Sequence, residues 1–156
     1  MKIVLMVCAS AQEPWQTDLA AQYIKKISRF YDFSIQSLRS VKSGREDKNL
    51  RIEKESQEIL KQIKNDDLVI LFDEKGSAFN SLSFAKFFES QLNSGKKRIL
   101  FILGGPYGVG FELKSKAHRM VKLSDLTLNH LVAEIVALEQ VYRACTIIHN
   151  IPYHNQ

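Results

Sequence analysis

Residues 99–110 read Ile-Leu-Phe-Ile-Leu-Gly-Gly-Pro-Tyr-Gly-Val-Gly. Five apolar residues in a row, Ile99 to Leu103, are the composition of a strand covered on both faces. The run breaks at once into Gly104-Gly105-Pro106-Tyr107-Gly108. Glycine admits positive φ and close backbone approach, so a strand that ends this way can press bare amides against a ligand. In open α/β sheets, ligands bind at the carboxyl ends of the strands. The same residues also make an ordinary tight strand-to-helix turn, and spacing alone does not choose between the two. The loop is neither a GxxxxGK[ST] phosphate loop nor a GxGxxG dinucleotide loop.

Outward from this strand, apolar runs of strand length alternate with helix-periodic stretches, the pattern of an α/β protein with a parallel sheet. Ile3 to Cys8 is a first buried strand. Pro14 to Phe30 is a helix with Trp15, Leu19, Tyr23, Ile27 and Phe30 at helical spacing. Phe33, Ile35 and Leu38 alternate with polar residues and predict a strand nearer an edge. Arg39 to Arg51 is polar and basic and reads as a mobile loop. Ile52 to Ile63 is a charged amphipathic helix with Ile52, Ile59, Leu60 and Ile63 inward. Leu68 to Phe72 is a third strand ending in Asp73-Glu74-Lys75-Gly76, and Ser81 to Leu92 is a helix stopped near Gly95. Beyond the glycine loop, Phe111 to His118 predicts a short helix, and Met120, Val121 and Leu123 a brief strand. From about Asn129 to Ile148 a long helix carries Leu131, Ile135, Leu138 and Tyr142 on one stripe, which Val132, Val136 and Val141 widen beyond what one sheet face needs.

With 156 residues and neither repeat nor linker, the chain reads as one domain, residues 1–156, with a substantial core. Cys8 and Cys145 lie in apolar surroundings and read as buried reduced thiols of a cytoplasmic protein. No stretch approaches the roughly 18 apolar residues of a membrane span, and the N-terminal run reads as a strand, not a signal peptide. The net charge is +5. Between Lys96 and Lys122 there are seven basic residues (Lys96, Lys97, Arg98, Lys114, Lys116, Arg119, Lys122) against one acid, Glu112. That segment therefore holds the whole basic excess. A solvated helix face accounts for it, and so does a surface for a polyanion such as RNA.

Two further stretches draw notice. Leu123-Ser124-Asp125-Leu126-Thr127-Leu128-Asn129-His130 interleaves polar and apolar residues, and Ser124, Thr127 or Asn129 could simply cap a helix. Its other reading is a second ligand loop facing the glycine loop. At the C-terminus, Tyr153 and His154 follow directly on a core helix. Free tails are commonly disordered, but an aromatic beside an imidazole also suits base stacking and proton handling. The four histidines have no zinc-like spacing with the cysteines, so no metal is expected.

Taken in order, the motifs Asp73-Glu74-Lys75-Gly76, Leu103-Gly104-Gly105-Pro106-Tyr107-Gly108, Leu123-Ser124-Asp125-Leu126-Thr127, Glu139-Gln140-Val141-Tyr142-Arg143-Ala144 and Pro152-Tyr153-His154 resemble the ribosomal RNA large subunit methyltransferase H family, small members of the SPOUT class. The resemblance runs end to end. It implies an α/β fold with a deep trefoil knot in its C-terminal part, an exception to the rule that chains do not knot. It implies a homodimer through the last helix, and transfer of a methyl group from S-adenosylmethionine to N3 of a pseudouridine in a 23S rRNA stem-loop on the assembled ribosome. Carried over by position, the cofactor would be held by Phe72, Gly104, Gly105 and the run Leu123, Ser124, Asp125, Leu126, Thr127 and Leu128. His154, Arg143 and Tyr153 would serve catalysis, and His130, Tyr142, Lys116 and Lys122 the RNA. Relatives usually have Pro-His where this chain has Asn129-His130, an arginine at Glu134, and Tyr-His-Arg where it has Tyr153-His154-Asn155. Readings that stay beside this one are a knotted methyltransferase of another RNA, a non-catalytic RNA-binding relative, and a generic nucleotide-binding α/β protein.

Overall fold

The computed structural model describes residues 1–9, 11–40 and 47–155. Its strands are β1 (Lys2–Ala9), β2 (Asp32–Arg39), β3 (Asp67–Ala78), β4 (Arg98–Leu103) and β5 (Arg119–Lys122), and its helices α1 (Pro14–Ile27), α2 (Lys48–Leu60), α3 (Ser81–Leu92), α4 (Phe111–Lys116) and α5 (His130–Ile148). All pairings are parallel, in the order β2-β1-β4-β3-β5. The α/β reading holds, and β2 lies at an edge as its alternating pattern predicts.

Because side chains alternate across a strand, the buried apolar runs of β1, β3 and β4 serve two cores at once. Ile3, Leu5, Leu68, Ile70, Ile99 and Phe101 pack beneath α1, α3 and α5. Val4, Met6, Val69, Leu71, Leu100 and Ile102 pack with Ile59 of α2 and Leu113 of α4 on the other face. Phe88 and Phe101 are fully buried, each worth about 3 kcal/mol of apolar burial. Both cysteines are free and buried, and burial pushes the Cys8 and Cys145 thiols up to about 12.

Where β3 and β4 start, Arg98 grips Asp67 with Nε at 2.7 Å and Nη2 at 2.5 Å, and also donates to the Gln62 carbonyl at 3.0 Å. This bidentate pair fixes the β3–β4 register, and so sets how far the two strands project at their carboxyl ends.

The element boundaries differ from the sequence reading at several ends, α4 closing at Lys116 and β5 at Lys122 among them, and three differences have a clear local cause. Helix α2 starts at Lys48, because the Asp47 side chain caps it by accepting from the Asn49 N–H at 3.0 Å. The expected mobile loop therefore shrinks, and its centre, 41–46, lies outside the described residues. Helix α1 ends at Ile27 and the last turn continues to Tyr31 through backbone bonds. Strand β3 continues to Ala78, with a register break against β5 between Phe72 and Ser77. Residues 73–76 look like a loop because they are polar. They stay beside β5 because Gly76 lets the chains touch: a Cβ there would stand 2.5 Å from the Val121 nitrogen.

Candidate active site

The carboxyl ends of β3 and β4 open into a cleft of about 730 Å³. Phe72, Asp73, Glu74 and Leu103 form its floor, the glycine loop one wall, and Leu128 to Leu131 at the start of α5 the other. A recess of about 200 Å³ continues from it between Phe72–Glu74 and Lys122–Leu128, and the two spaces share Phe72, Asp73, Glu74, Leu103, Leu128 and Ala133. Phe72, Gly104, Gly105 and the run Leu123 to Leu128 are thus brought together around one cavity, with His130 beside them. Its volume is in the range of sites for small molecules of drug size.

The glycine loop turns through a Gly108 N–H to Gly105 carbonyl bond of 3.0 Å, with Gly108 at φ +85°. Helix α2 carries it from below. The Glu55 side chain is buried beneath Gly105, where any Cβ would collide with Oε2. Glu55 is held by Ser40 and by Arg51, whose Nε lies 2.9 Å from Oε1, and Arg51 also donates to Ser40 Oγ at 2.7 Å. Arg51 and Lys48 sit 5.2 and 5.3 Å from the Tyr107 ring centre. Further along α2, Ser56 Oγ accepts from the Gly110 N–H at 2.8 Å. Sequence reasoning missed Glu55, Arg51 and Ser56. The signal was present: Glu55 and Ser56 fall between Ile52 and Ile59 on the inward stripe of an amphipathic helix.

His130 lines the cleft at the first turn of α5. Burial drives its pKa down, opposed by the Glu55 charge and a bond to the Cys8 carbonyl. Its Nε2 and the Glu55 Oε2 are both buried without a hydrogen-bond partner among the described residues. At the opposite wall Lys114 pairs with Asp73 at 2.9 Å. Burial would raise the Asp73 carboxyl, but Lys114 and the Lys75 N–H outweigh it and hold it below the ordinary range. The 123–128 segment is braced by Lys122 to Asp125 at 2.9 Å and by the Leu126 N–H to Ser124 Oγ at 2.9 Å, and Asn129 caps α5. Lys122 lines the recess, and Lys116 is exposed at the end of α4.

The remaining candidates gather elsewhere. Glu139 Oε1 accepts from Arg143 Nε at 3.0 Å and Nη2 at 2.5 Å, and from the Tyr153 hydroxyl at 3.3 Å. The Arg143 guanidinium lies 4.7 Å from the Tyr153 ring centre, with Tyr142 against Tyr153 at 4.8 Å. Arg143 Nη1 is 3.2 Å from His154 Nδ1. A guanidinium can only donate, so Nδ1 accepts and the proton of the neutral ring sits on Nε2. Burial, then Tyr23 and Glu139, push the Tyr153 phenol up to about 12. None of Tyr142, Arg143, Tyr153 and His154 lines the cleft or the recess. Leu131 and Arg143 are twelve residues apart on α5, about 18 Å along the helix axis. Glu134 is buried between α5 and α1, bonded to Gln16, and burial raises its carboxyl.

A parallel sheet with helices on both faces and a cleft between two loops at its carboxyl edge defines an α/β protein that binds a small molecule there. Residues 1–154 match the family model described as "Predicted SPOUT methyltransferase", and the chain belongs to that family of methyltransferases. It is 50% identical over 155 residues, covering 99% of each chain, to ribosomal RNA large subunit methyltransferase H of Bdellovibrio bacteriovorus. It is 38% identical over 156 residues, again covering 99% of each, to the protein of the same name from Pseudothermotoga lettingae. Among solved structures, a methyltransferase from Legionella pneumophila with bound S-adenosylmethionine has the same fold, at TM-score 0.50 and 14% identity, the match covering 90% of this chain and 65% of that one.

Proposed function

We propose that this protein methylates N3 of a pseudouridine in a large-subunit rRNA stem-loop, on the assembled ribosome, with S-adenosylmethionine as donor. The observation that carries the reading is the cleft between Gly104–Gly108 and Leu123–Leu128, in a chain 50% identical to a ribosomal RNA large subunit methyltransferase H over its full length. The donor fits the residues present. Phe72, Leu103 and Leu128 offer apolar walls for an adenine, and the two loops offer backbone groups at its edge. When bound, the donor supplies an already activated methyl group.

The chain's own task is then alignment and the management of one proton. As N3 takes the methyl its proton passes to water, and Arg143 and the Nε2–H of His154 form a pair of donors suited to the pyrimidine anion, since a nearby cation favours the charged form. Tyr153, with its phenol raised to about 12, stays protonated and packs the pair in place. Because these residues stand about 18 Å along α5 from the cleft wall, the reading pairs the cleft of one protomer with the tail of another. The wide apolar stripe of α5, with Val132 exposed at 40%, supports a homodimer through this helix. The reading includes the C-terminal trefoil knot. In its favour, Ser77 and Ala78 of β3 pair with Val121 and Lys122 of β5 beyond the register break, and the segment after β5, Leu123 to Leu128, lines one recess with Phe72 to Glu74 at the end of β3. The described residues include no helix long and apolar enough to cross a membrane and no group of three metal-ligating side chains. Cytoplasmic action without a metal is part of the proposal.

Complementation tests it. A cleft variant, Gly105→Val, and a tail variant, His154→Ala, are each expected to be inactive as homodimers. Co-expressed, they regain methyl transfer if one subunit's cleft works with the other's tail. No recovery, with mixed dimers demonstrated by mass, contradicts the shared site.

A further inference from the structure

Phe111 is 87% exposed, the most exposed large apolar side chain among the described residues. A lone exposed apolar residue needs no explanation, but the surroundings of this one are specific. It opens α4 directly after the glycine loop, and Lys114 stands three positions on, which puts both on one helix face about 5–6 Å apart. Val109 and Lys114 both line the cleft, so Phe111, which lies between them in the chain, is next to its lining residues. Tyr107, within the loop, also lines the cleft and is 49% exposed. Its ring is held against Lys48 and Arg51 at 5.3 and 5.2 Å. Near the two exposed rings stand Lys48 and Lys114, which line the cleft, and Lys116, exposed at the end of α4.

We infer that Phe111 and Tyr107 are stacking platforms for unpaired RNA bases flanking the methylated nucleotide, with Lys48, Lys114 and Lys116 neutralising the backbone. This rests on the proposed function and names its docking face. Every base has a π-face, and single-stranded nucleic acid is held by aromatics interleaved with cations. A protein partner fits less well, because the rings are separated by Gly108–Gly110 and flanked by charge instead of forming one apolar patch. A second copy of the chain is also disfavoured. This face belongs to the α2–α4 layer, with the sheet between it and the α5 face.

The test compares Phe111→Ala and Phe111→Trp with wild type. Two readouts are taken: affinity for unmethylated large ribosomal subunits, and KM for those subunits in methyl transfer. Phe111→Ala is expected to weaken subunit binding and raise KM roughly 5- to 100-fold, the worth of one stacked base, with unchanged affinity for S-adenosylmethionine and unchanged Tm. Phe111→Trp restores both. Unaltered subunit binding by Phe111→Ala overturns the inference. So does a loss seen with intact subunits but absent with protein-free rRNA, which assigns the ring to a protein, or a changed oligomer mass. A wild-type protein that binds subunits but transfers no methyl instead refutes the proposed function, and the binding comparison still decides the role of Phe111.

Discussion

Gly105 lies directly over the carboxylate of Glu55, so closely that a methyl group added to the glycine would overlap Oε2. The carboxylate cannot retreat, because Ser40 and Arg51 hold its other oxygen. Gly105→Ala therefore lifts the loop off α2, at a cost of about 1–3 kcal/mol. If that cost falls on seating the loop, S-adenosylmethionine affinity drops roughly 5- to 100-fold, measured by calorimetry. Glu55→Ala in the Gly105→Ala background makes room and recovers part of the loss. Equal affinity in wild type and Gly105→Ala would show that the loop does not depend on this contact.

The Asp67–Arg98 pair is the polar tie of the central strands. Burial alone would raise the Asp67 carboxyl, but Arg98 and the Lys64 N–H outweigh it and hold it low. The pair's stabilisation is thus full above the ordinary carboxyl value of about 3.9 and is lost as pH falls through the lower folded value. Arg98→Ala strands a buried carboxylate and costs about 3 kcal/mol. Thermal melting is expected to fall by roughly 6–12 °C for a chain of this size, with the acid limb beginning at higher pH than in wild type.

His130 works the other way round. Its folded pKa lies below the ordinary value, chiefly through burial. The neutral ring is favoured in the folded state, so this contribution is full above about pH 6.5 and is lost as pH falls from there through the folded value. His130→Asn should flatten the stability-against-pH curve below 6.5 and leave it alone above 7, as read by denaturant midpoints across that range. A wild-type curve with no inflection below 6.5 removes the argument.

Tyr153 and His154 are adjacent but are assigned different duties. Tyr153→Phe removes a 3.3 Å bond to Glu139 and leaves the ring packed on Arg143, so kcat should change by less than about threefold, a loss near 0.5 kcal/mol. His154→Ala should lower kcat by about 10² or more while S-adenosylmethionine affinity holds. A large loss in Tyr153→Phe would mean that the phenol itself handles the proton.

Much of the fold was legible because the buried runs Ile3–Cys8, Leu68–Phe72 and Ile99–Leu103 are short, continuous and separated by helical periods. The extension of β3 to Ala78 was not, because Asp73-Glu74-Lys75 gives no apolar pattern and the pairing depends on Gly76 lying against Val121. In the site, the glycine loop announces itself by composition. Its support does not: Glu55 and Arg51 look like surface charges until Ser40, the residue that follows β2, closes the network. The clustering of Glu139, Arg143, Tyr153 and His154 depends on the chain reversing after α5 at Asn150, a non-glycine residue with φ 54°. Composition says nothing about such a reversal.

The most direct measurement is the position of the methyl group. Large ribosomal subunits lacking the modification are incubated with the protein and labelled S-adenosylmethionine, and the 23S rRNA is digested and mapped by mass spectrometry. One labelled nucleoside is expected, a pseudouridine methylated at N3, formed on assembled subunits. Label on another base or another RNA, or none from a protein shown to bind S-adenosylmethionine, would contradict the proposed function.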